Sequence, residues 1–236
     1  MSRRFEELDW QPTAMGEISL RRRFERTLQV DVYEVKLGEE FLMSSLFPVA
    51  EIELARLGLA ACSGDRLDVV VGGLGLGYTA VAALEDPRVR SLVVVEALAP
   101  VIGWHERHLL PDAAGLATDP RARLVQGDFF ALAAAESPFA PEEPLRVHAV
   151  LLDIDHTPRH VLHPSHAAFY TAEGLHALRG HLHPGGIFAL WSDDPPDDEF
   201  MAVLSAEFGA AEAHVVSFAN PLTGGTSANT VYVAVG

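Results

Sequence analysis

From residue 67 to the C-terminus, short apolar runs that predict buried strands alternate with segments that predict helices. The expected strands cover 67–72, 91–95, 122–126, 147–153 and 186–192, and the expected helices cover 77–85, 99–109, 128–135, 165–182 and 196–208. This alternation predicts an α/β fold with a mostly parallel sheet and helices on both faces. Two further segments, 214–218 and 229–235, flank a turn sequence and predict a terminal antiparallel hairpin.

The N-terminal segment has a different pattern. Polar and apolar residues alternate with period two in 15–38, which predicts a small antiparallel β-hairpin. Apolar residues at helical spacing then predict a helix over 41–59, with either a kink or a division into two shorter helices at Pro48. We therefore expect a hairpin lid and linking helix in residues 1–60 and a main domain in residues 61–236.

Composition narrows the class of protein. With 49% hydrophobic and 21% charged residues, the 236-residue chain matches a globular protein with a sizeable core. Neither a long apolar stretch nor the apolar segment of a signal peptide is found, so a cytoplasmic location and no membrane contact are expected. The net charge of −16 argues against nucleic-acid binding and would suit a cationic substrate. The single cysteine, Cys62, excludes an internal disulfide.

The most informative motif is a glycine run after the first strand of the main domain. The apolar strand 67–72 leads into Gly73, Gly75 and Gly77, and the next apolar strand ends in Glu96. Glycines let a ligand approach the backbone, and an acid at the tip of the next strand can bind the hydroxyls of a ribose. The pattern predicts a site for an adenosine-containing cofactor.

The third strand of the main domain ends in Gly127-Asp128. An acid at this position can bind the adenine amino group, and Asp128 can also cap the helix that follows. The residues after the two acids, Ala97 and Phe129, are expected to line the same site. The glycine run also satisfies the dinucleotide fingerprint, so an NAD site and a tight turn without a ligand remain alternatives.

From about residue 17 to its end, the chain resembles the spermidine synthase (aminopropyltransferase) family, a branch of the class I S-adenosylmethionine (AdoMet) transferases. Residues 72–77 read Gly-Gly-Leu-Gly-Leu-Gly where that family has Gly-Gly-Gly-Asp-Gly-Gly, and residues 96–102 are similar to its Glu-x-Asp-x-x-Val-Ile segment. Gly127-Asp128 corresponds to its Gly-Asp-Gly, and Asp153 to the first acid of its Asp-Ser-x-Asp-Pro catalytic loop.

The resemblance implies a seven-stranded class I AdoMet-binding sheet. It also implies that the three glycines hold the methionyl part of AdoMet or of its decarboxylated form, that Glu96 binds the ribose, and that Asp128 binds the adenine. The acceptor is expected to be a small amine or hydroxyl compound, and the protein is expected to be a homodimer. A homologue that binds the nucleotide without catalysing a reaction is the alternative outside the enzymes.

The positions that carry the family's chemistry agree less well. Gly75 stands where the family has the acid that holds the amine of decarboxylated AdoMet, and Met43 and Ser44 replace a tyrosine and a glutamine. The second catalytic-loop acid is displaced to Asp155. Each missing group would bind a cationic nitrogen, and a buried ammonium without a carboxylate is costly. The departures favour intact AdoMet and methyl transfer, and aminopropyl transfer is the alternative.

The candidate catalytic residues follow the fourth strand of the main domain. Asp153 lies at the carboxyl edge of the sheet, where it can deprotonate an amine or alcohol as a general base. Asp155 and His156 are further candidates. Asp153 could instead cap the turn that contains Thr157 and Pro158.

No metal is expected, although one metal alternative remains open. Asp153, Asp193 and Asp194 resemble the acids of metal-dependent catechol-type O-methyltransferases, and three carboxylates at one sheet edge could hold Mg²⁺. Four histidines lie between residues 156 and 166, but their spacing crosses Pro164 and does not place them on one helix face. This segment is therefore expected to form a loop over the site and not a zinc site.

Overall fold

The computed structural model describes residues 5–141 and 143–236. Its N-terminal part is an antiparallel sheet of β1 (Phe5–Thr13), β2 (Gly16–Glu25), β3 (Val30–Leu37) and β4 (Glu40–Ser44), in which neighbouring strands follow each other along the chain. The hairpin predicted over 15–38 is confirmed as β2 and β3. β1 and β4 extend it on either side, so the N-terminal sheet has four strands.

The helix predicted over 41–59 is wrong in its first part. Residues 40–44 form β4, in which Met43 pairs with Val35 of β3, and helix α1 begins only at Val49 and ends at Ala61. Gly38, at a φ of 56°, allows the tight turn that returns the chain along β3. Pro48 lacks an amide N–H and stands at the start of α1, where that donor is not needed.

The main sheet has seven strands in the order β10-β11-β9-β8-β5-β6-β7. Its strands are β5 (Leu67–Gly72), β6 (Val89–Glu96), β7 (Ala122–Gln126), β8 (Val147–Leu152), β9 (Leu182–Ser192), β10 (Ala210–Asn220) and β11 (Gly225–Val235). The first five are parallel to one another, and β11 pairs antiparallel with both β9 and β10. This arrangement confirms the predicted fold class.

Helices cover both faces of this sheet because its central strands are apolar on both sides. The helices are α1, α2 (Tyr78–Glu85), α3 (Ala99–Glu106), α4 (Phe129–Ala133), α5 (Ala172–Arg179) and α6 (Asp198–Glu207). Within β5, Val69 and Val71 pack in the core that contains α1, α2 and α3, whereas Val70 packs in the core that contains α4, α5 and α6. The two cores hold the parallel strands in one rigid layer.

The helix predicted over 165–182 is divided in two. A 3₁₀ segment covers Pro164–Tyr170, and α5 follows it. Thr171 separates the two with an extended backbone, and its side chain accepts a hydrogen bond from the N–H of Gly174 at 3.3 Å. A threonine cap that satisfies a free N–H of the second helix explains why the chain does not continue as one helix.

Two contacts hold the N-terminal sheet and α1 against the main domain. Trp104 of α3 is fully buried, and its Nε1 donates to Asp9 of β1 at 2.7 Å, which joins the N-terminal sheet to the main domain. Gly58 lets α1 lie close to the main sheet, because a Cβ there would come within 2.6 Å of Leu151 in β8. Within the described residues, no helix has the length and apolar character needed to span a membrane.

Candidate active site

The carboxyl ends of the parallel strands open into a cavity of about 810 Å³, which is within the usual range for ligand pockets. The cavity lies between this sheet edge, the inner face of the N-terminal sheet and the hairpin formed by β10 and β11. Most of the predicted site residues line it: Gly73, Gly75, Glu96, Ala97, Asp128, Phe129, Asp153, His156 and Asp193. Parallel strands bring these side chains together although they are far apart in sequence.

Gly73 is the closest point of the glycine loop to the rest of the sheet edge. Its N–H donates to the carbonyl of Val95 at 2.9 Å, and its φ is 93°. A Cβ at this position would overlap the carbonyl oxygen of Asp153. Only glycine fits here, because the gap between the loop and the residue after β8 is too small for a side chain. The backbone of the loop therefore stays accessible from the cavity.

The rest of the loop is held from both sides. Met43 of β4 places its sulfur where the N–H of Leu76 donates to it at 3.2 Å, and a Cβ on Gly75 would lie 2.5 Å from that sulfur. On the other side, His105 of α3 has its Nε2 2.9 Å from the carbonyl oxygen of Gly75. Burial lowers the pKa of His105, so the neutral ring donates to this carbonyl. A Cβ on Gly77 would lie 2.7 Å from the same ring.

His105 was not among the residues predicted from the sequence. The available signal was a histidine within the predicted helix 99–109, on the face where Val101 and Trp104 are buried. Such a histidine is usually a core residue with a hydrogen-bond partner, and here the partner is the glycine loop itself.

Glu96 ends β6 beside the glycine loop and lines the cavity. One carboxylate oxygen accepts from the N–H of Leu74 at 3.0 Å, and the other accepts from the N–H of Leu98 at 2.8 Å. Burial raises the pKa of Glu96, and the backbone donors act in the opposite direction. These bonds fix the carboxylate between the loop and the start of α3, in the wall of the cavity.

Asp128 caps a helix and also lines the cavity. It caps α4, because its Oδ1 accepts from the N–H groups of Phe130 at 2.9 Å and Ala131 at 3.2 Å, and it also lines the cavity. The adjacent Phe129 is buried against β5, where a Cβ on Gly72 would lie 2.7 Å from its ring. Phe129 therefore supports the floor of the cavity from the core.

Asp153 follows β8 directly and lines the cavity between the glycine loop and the N-terminal sheet. Its Oδ2 accepts a hydrogen bond of 2.7 Å from the hydroxyl of Thr79 in α2. Burial raises its pKa to about 6. A carboxyl group with such a pKa is well suited to accept a proton near neutral pH.

A second buried acid faces the same part of the cavity. Glu51, in the first turn of α1, is only 7% exposed, and its pKa is raised to about 8, first by burial and then by the nearby Asp153 and Asp193 carboxylates. It was not among the predicted site residues. The sequence feature that could have identified Glu51 is its position on the same helix face as the apolar residues Leu54 and Ala55, which are buried.

Asp155 lies away from the cavity. Its side chain is completely buried and accepts from the N–H of Leu162 at 2.7 Å and the hydroxyl of Tyr170 at 2.8 Å, while Nδ1 of His166 lies 2.9 Å away. The ring of His166 also stacks on Phe130 at a centroid distance of 4.0 Å. This placement makes Asp155 the anchor of the loop at 156–166.

The upper part of that loop reaches the N-terminal sheet. His156 lines the cavity, and its Nε2 lies 3.1 Å from a carboxylate oxygen of Glu40 in β4. The carbonyl of His156 accepts from the N–H of Asp193 at 2.8 Å. The loop therefore joins β4 to the end of β9 and closes one side of the cavity.

The acids considered for a metal site do not all meet. Asp193 lines the cavity and accepts from Asn229 Nδ2 at 2.7 Å, whereas Asp194 is exposed and does not line the cavity. Among residues 5–141 and 143–236, no three His, Cys, Asp or Glu side chains are arranged to hold a metal ion.

No protein-family model matches the sequence, and no curated protein matches it. The fold, however, is similar to solved structures. A spermidine synthase in complex with the transition-state analogue AdoDATO has a TM-score of 0.72 and 16% identity over 97% of this chain and 72% of its own. Spermidine synthase from Thermotoga maritima has a TM-score of 0.72 and 15% identity over the same shares.

Human methyltransferase-like protein 13, in complex with SAH, has a TM-score of 0.60 and 18% identity over 78% of this chain and 81% of its own. The likeness to spermidine synthases thus extends over nearly the whole chain, whereas the likeness to the methyltransferase-like protein covers less of it. The chain has the spermidine synthase-like form of the class I AdoMet-methyltransferase fold.

Proposed function

We propose that this protein is an AdoMet-dependent transferase that methylates a small amine or hydroxyl acceptor. The observation that carries this proposal is a single cavity in which a glycine cradle, the strand-end acid Glu96 and the buried acid Asp153 lie side by side. The glycine cradle and Glu96 suit an adenosine cofactor, and Asp153 suits a proton acceptor on the acceptor side.

The residues present fit the cofactor. The Gly73–Gly77 loop would hold the methionyl part, because side chains are excluded from it by the Asp153 carbonyl and the His105 ring. Glu96 would bind the ribose hydroxyls through the lone pairs that its two backbone bonds leave free. Asp128, which follows the carboxyl end of β7 and lines the cavity, would face the adenine. When bound, AdoMet supplies a methyl group activated by a sulfonium.

The chain's own residues would prepare the acceptor. The Thr79 hydroxyl orients the Asp153 carboxylate, which takes the proton from the acceptor nitrogen or oxygen. The loop at 156–166 and β4 meet through His156 and Glu40 and exclude water from this side of the cavity.

Methyl transfer is supported by the surroundings of Gly75. An acid there would be needed to pair with the amine of decarboxylated AdoMet, but the neighbouring group is the Met43 sulfur. Aminopropyl transfer is the second candidate, because the spermidine synthases are similar over nearly the whole chain.

We expect Glu96→Gln to weaken AdoMet binding by about 1–3 kcal/mol, since a charge-assisted hydrogen bond is lost at a partly buried position. Isothermal titration calorimetry with AdoMet measures this directly. The exposed Glu106→Gln variant, on α3, is the control and should bind like the unmodified protein. Equal AdoMet affinity in Glu96→Gln and the control would remove Glu96 from the ribose-binding role.

The choice of cofactor gives a second prediction. The unmodified protein should bind AdoMet at least as tightly as decarboxylated AdoMet. Gly75→Asp, combined with Met43→Ala to make room for the new side chain, should shift this preference toward the decarboxylated form. Calorimetry with both compounds and the single Met43→Ala variant as control tests the shift. Efficient spermidine formation from putrescine by the unmodified protein would contradict methyl transfer, and AdoMet binding without any turnover would favour a non-catalytic homologue.

A further inference from the structure

Glu51 is a buried acid in the wall of the cavity. One of its carboxylate oxygens, Oε2, is buried and has no hydrogen-bond partner among the described residues. Asp153 and Asp193 lie close enough to disfavour its ionised form further. With its pKa raised to about 8, Glu51 is mostly neutral at pH 7 while the cavity is empty, and a ligand that brings a positive charge would favour its carboxylate form.

The same wall contains a second unpaired polar atom. Trp191, at the end of β9, lines the cavity, and its buried Nε1 has no acceptor among the described residues. Trp191 and Asp193 both line the cavity at the end of β9. Aromatic rings beside carboxylates are favourable surroundings for a cationic nitrogen.

Two aromatic residues, Phe47 and Phe218, line the cavity beside the hairpin of β10 and β11. The hairpin of β10 and β11 extends past the sheet edge, and Asn229, which contacts Asp193, is two residues from Ser227, a length of about 7 Å along the strand. Ser227 pairs with Phe218, whose ring lies 5.9 Å from that of Phe47. This end of the cavity is therefore walled by aromatic rings.

We infer that this half of the cavity is an acceptor subsite for an amine carried on an apolar body, with Glu51 as the residue that selects the positive charge. The inference rests on the proposed function and specifies its acceptor. The amine would lie at Glu51, Asp153 and Asp193, and the apolar body between Phe47 and Phe218. A compound with a second ammonium group would place that charge between Phe47 and Phe218 and would lack the apolar body that we assign to this end of the cavity.

The reaction is balanced with the groups named. The acceptor would bind as an ammonium beside Glu51, whose own proton is released to solvent, and it would lose one proton to the Asp153 carboxylate, which leaves a nitrogen lone pair. That lone pair forms a bond to the methyl carbon while the carbon–sulfur bond breaks, so the sulfonium becomes a neutral thioether. The proton then passes from Asp153 to solvent, and no oxidant or reductant is needed.

Three probe compounds separate the two parts of this inference. 2-Phenylethylamine has the charge and the apolar body, 2-phenylethanol lacks the charge, and 1,4-diaminobutane lacks the apolar body. Calorimetry is carried out on the full chain saturated with S-adenosylhomocysteine, so that no turnover occurs. We expect 2-phenylethylamine to bind about 10- to 100-fold more tightly than either of the others, as a charge-assisted bond or a buried ring would provide. Tighter binding of 1,4-diaminobutane, or equal binding of 2-phenylethanol, would overturn the inference.

The role of Glu51 is tested with Glu51→Gln and with Glu53→Gln, a control on the same helix whose side chain pairs with Arg56. Glu51→Gln should lose about 10- to 100-fold in affinity for 2-phenylethylamine, with the affinity for S-adenosylhomocysteine unchanged. Unchanged affinity for 2-phenylethylamine would overturn the assignment of Glu51. Failure of the unmodified protein to bind either AdoMet or S-adenosylhomocysteine would instead overturn the proposed function.

A stability measurement shows whether Glu51→Gln is folded and whether the carboxylate is uncompensated. The pKa of Glu51 is about 8 when folded, compared with an ordinary value of 4.5, so the folded state binds the proton more tightly. Stability therefore falls as the pH rises from about 4.5 to about 8. Glu51→Gln removes this loss of stability, because the amide does not ionise. The variant should therefore have a higher Tm than the unmodified protein, and the increase should be larger at pH 8 than at pH 5. A lower Tm at pH 8 would contradict an uncompensated acid.

Discussion

Asp153→Asn is expected to lower the rate of methyl transfer by about 10²–10⁴-fold while AdoMet affinity stays nearly unchanged. The substitution keeps the shape of the side chain and removes the proton acceptor, and Asp153 lies on the acceptor side of the cavity beside Glu51. Transfer from methyl-tritiated AdoMet to 2-phenylethylamine measures the rate, and calorimetry measures the affinity. Loss of cofactor binding together with the rate would contradict a general-base role.

The pH dependence of the unmodified protein offers an independent check. The pKa of Asp153 is raised to about 6, so the carboxylate form that accepts a proton prevails only above that pH. The rate should therefore rise as the pH increases through about 6, and this limb of the profile should be absent in Asp153→Asn.

Asp155→Asn provides the structural contrast. The buried carboxylate of Asp155 accepts hydrogen bonds from the N–H of Leu162 and the hydroxyl of Tyr170, one on each oxygen. In Asp155→Asn one of these oxygens becomes an NH₂ group, which cannot accept a hydrogen bond from a donor. We expect Asp155→Asn to lower the free energy of unfolding by about 1–3 kcal/mol, the cost of an unsatisfied buried group. Asp153→Asn should not be destabilised in this way, because its carboxylate is costly to bury. The reverse pattern in the two variants would identify Asp153 as the structural cap.

Gly73→Ala is expected to abolish measurable AdoMet binding and to reduce stability. The added Cβ would overlap the carbonyl oxygen of Asp153, so either the loop or the end of β8 must move. Both hold groups of the proposed site, and a displacement of about 1 Å is enough to disrupt it. Calorimetry and thermal unfolding of the same preparation measure the two effects.

Gly64→Ala is a closely matched control for this substitution. Gly64 has a φ of 96°, compared with 93° at Gly73, but a Cβ on Gly64 would have nothing within 4 Å. Alanine at either position would be strained by the positive φ, at a cost of roughly 1–3 kcal/mol. Only Gly73→Ala adds the steric overlap with Asp153. The difference in Tm and in AdoMet affinity between the two variants therefore measures the effect of this overlap. Equal Tm values and equal AdoMet affinities in the two variants would show that the loop is free to widen.

The regular part of the fold could be predicted from local pattern. The run of apolar residues in β5, the glycines after it and the acid at the end of β6 can each be recognised from neighbours in sequence, because hydrophobic pattern, turn conformation and helix capping are local properties. The same applies to the terminal hairpin of β10 and β11. Since parallel strands end at one edge, the meeting of Glu96, Asp128 and Asp153 follows from the order of elements alone.

The N-terminal region shows where local pattern was insufficient. The residues at 41–44 are compatible with either a helix or a strand, and they form a strand because they pair with β3. That pairing brings the Met43 sulfur onto the glycine loop at Leu76, a contact between residues 33 positions apart. No periodicity in the sequence contains this information, because it depends on how the small sheet is placed against the large one.

The roles of the acids were likewise decided by tertiary structure. The sequence by itself determined the strand-helix order, the glycine loop and the acids at the strand ends. Only the tertiary structure separated Asp153, which lines the cavity, from Asp155, whose donors come from Leu162 and Tyr170. It also brought Glu51 of α1 beside Asp153. The physical reason is that burial and charge proximity, which set the pKa of a carboxyl group, arise from residues that are distant in sequence and adjacent only after folding.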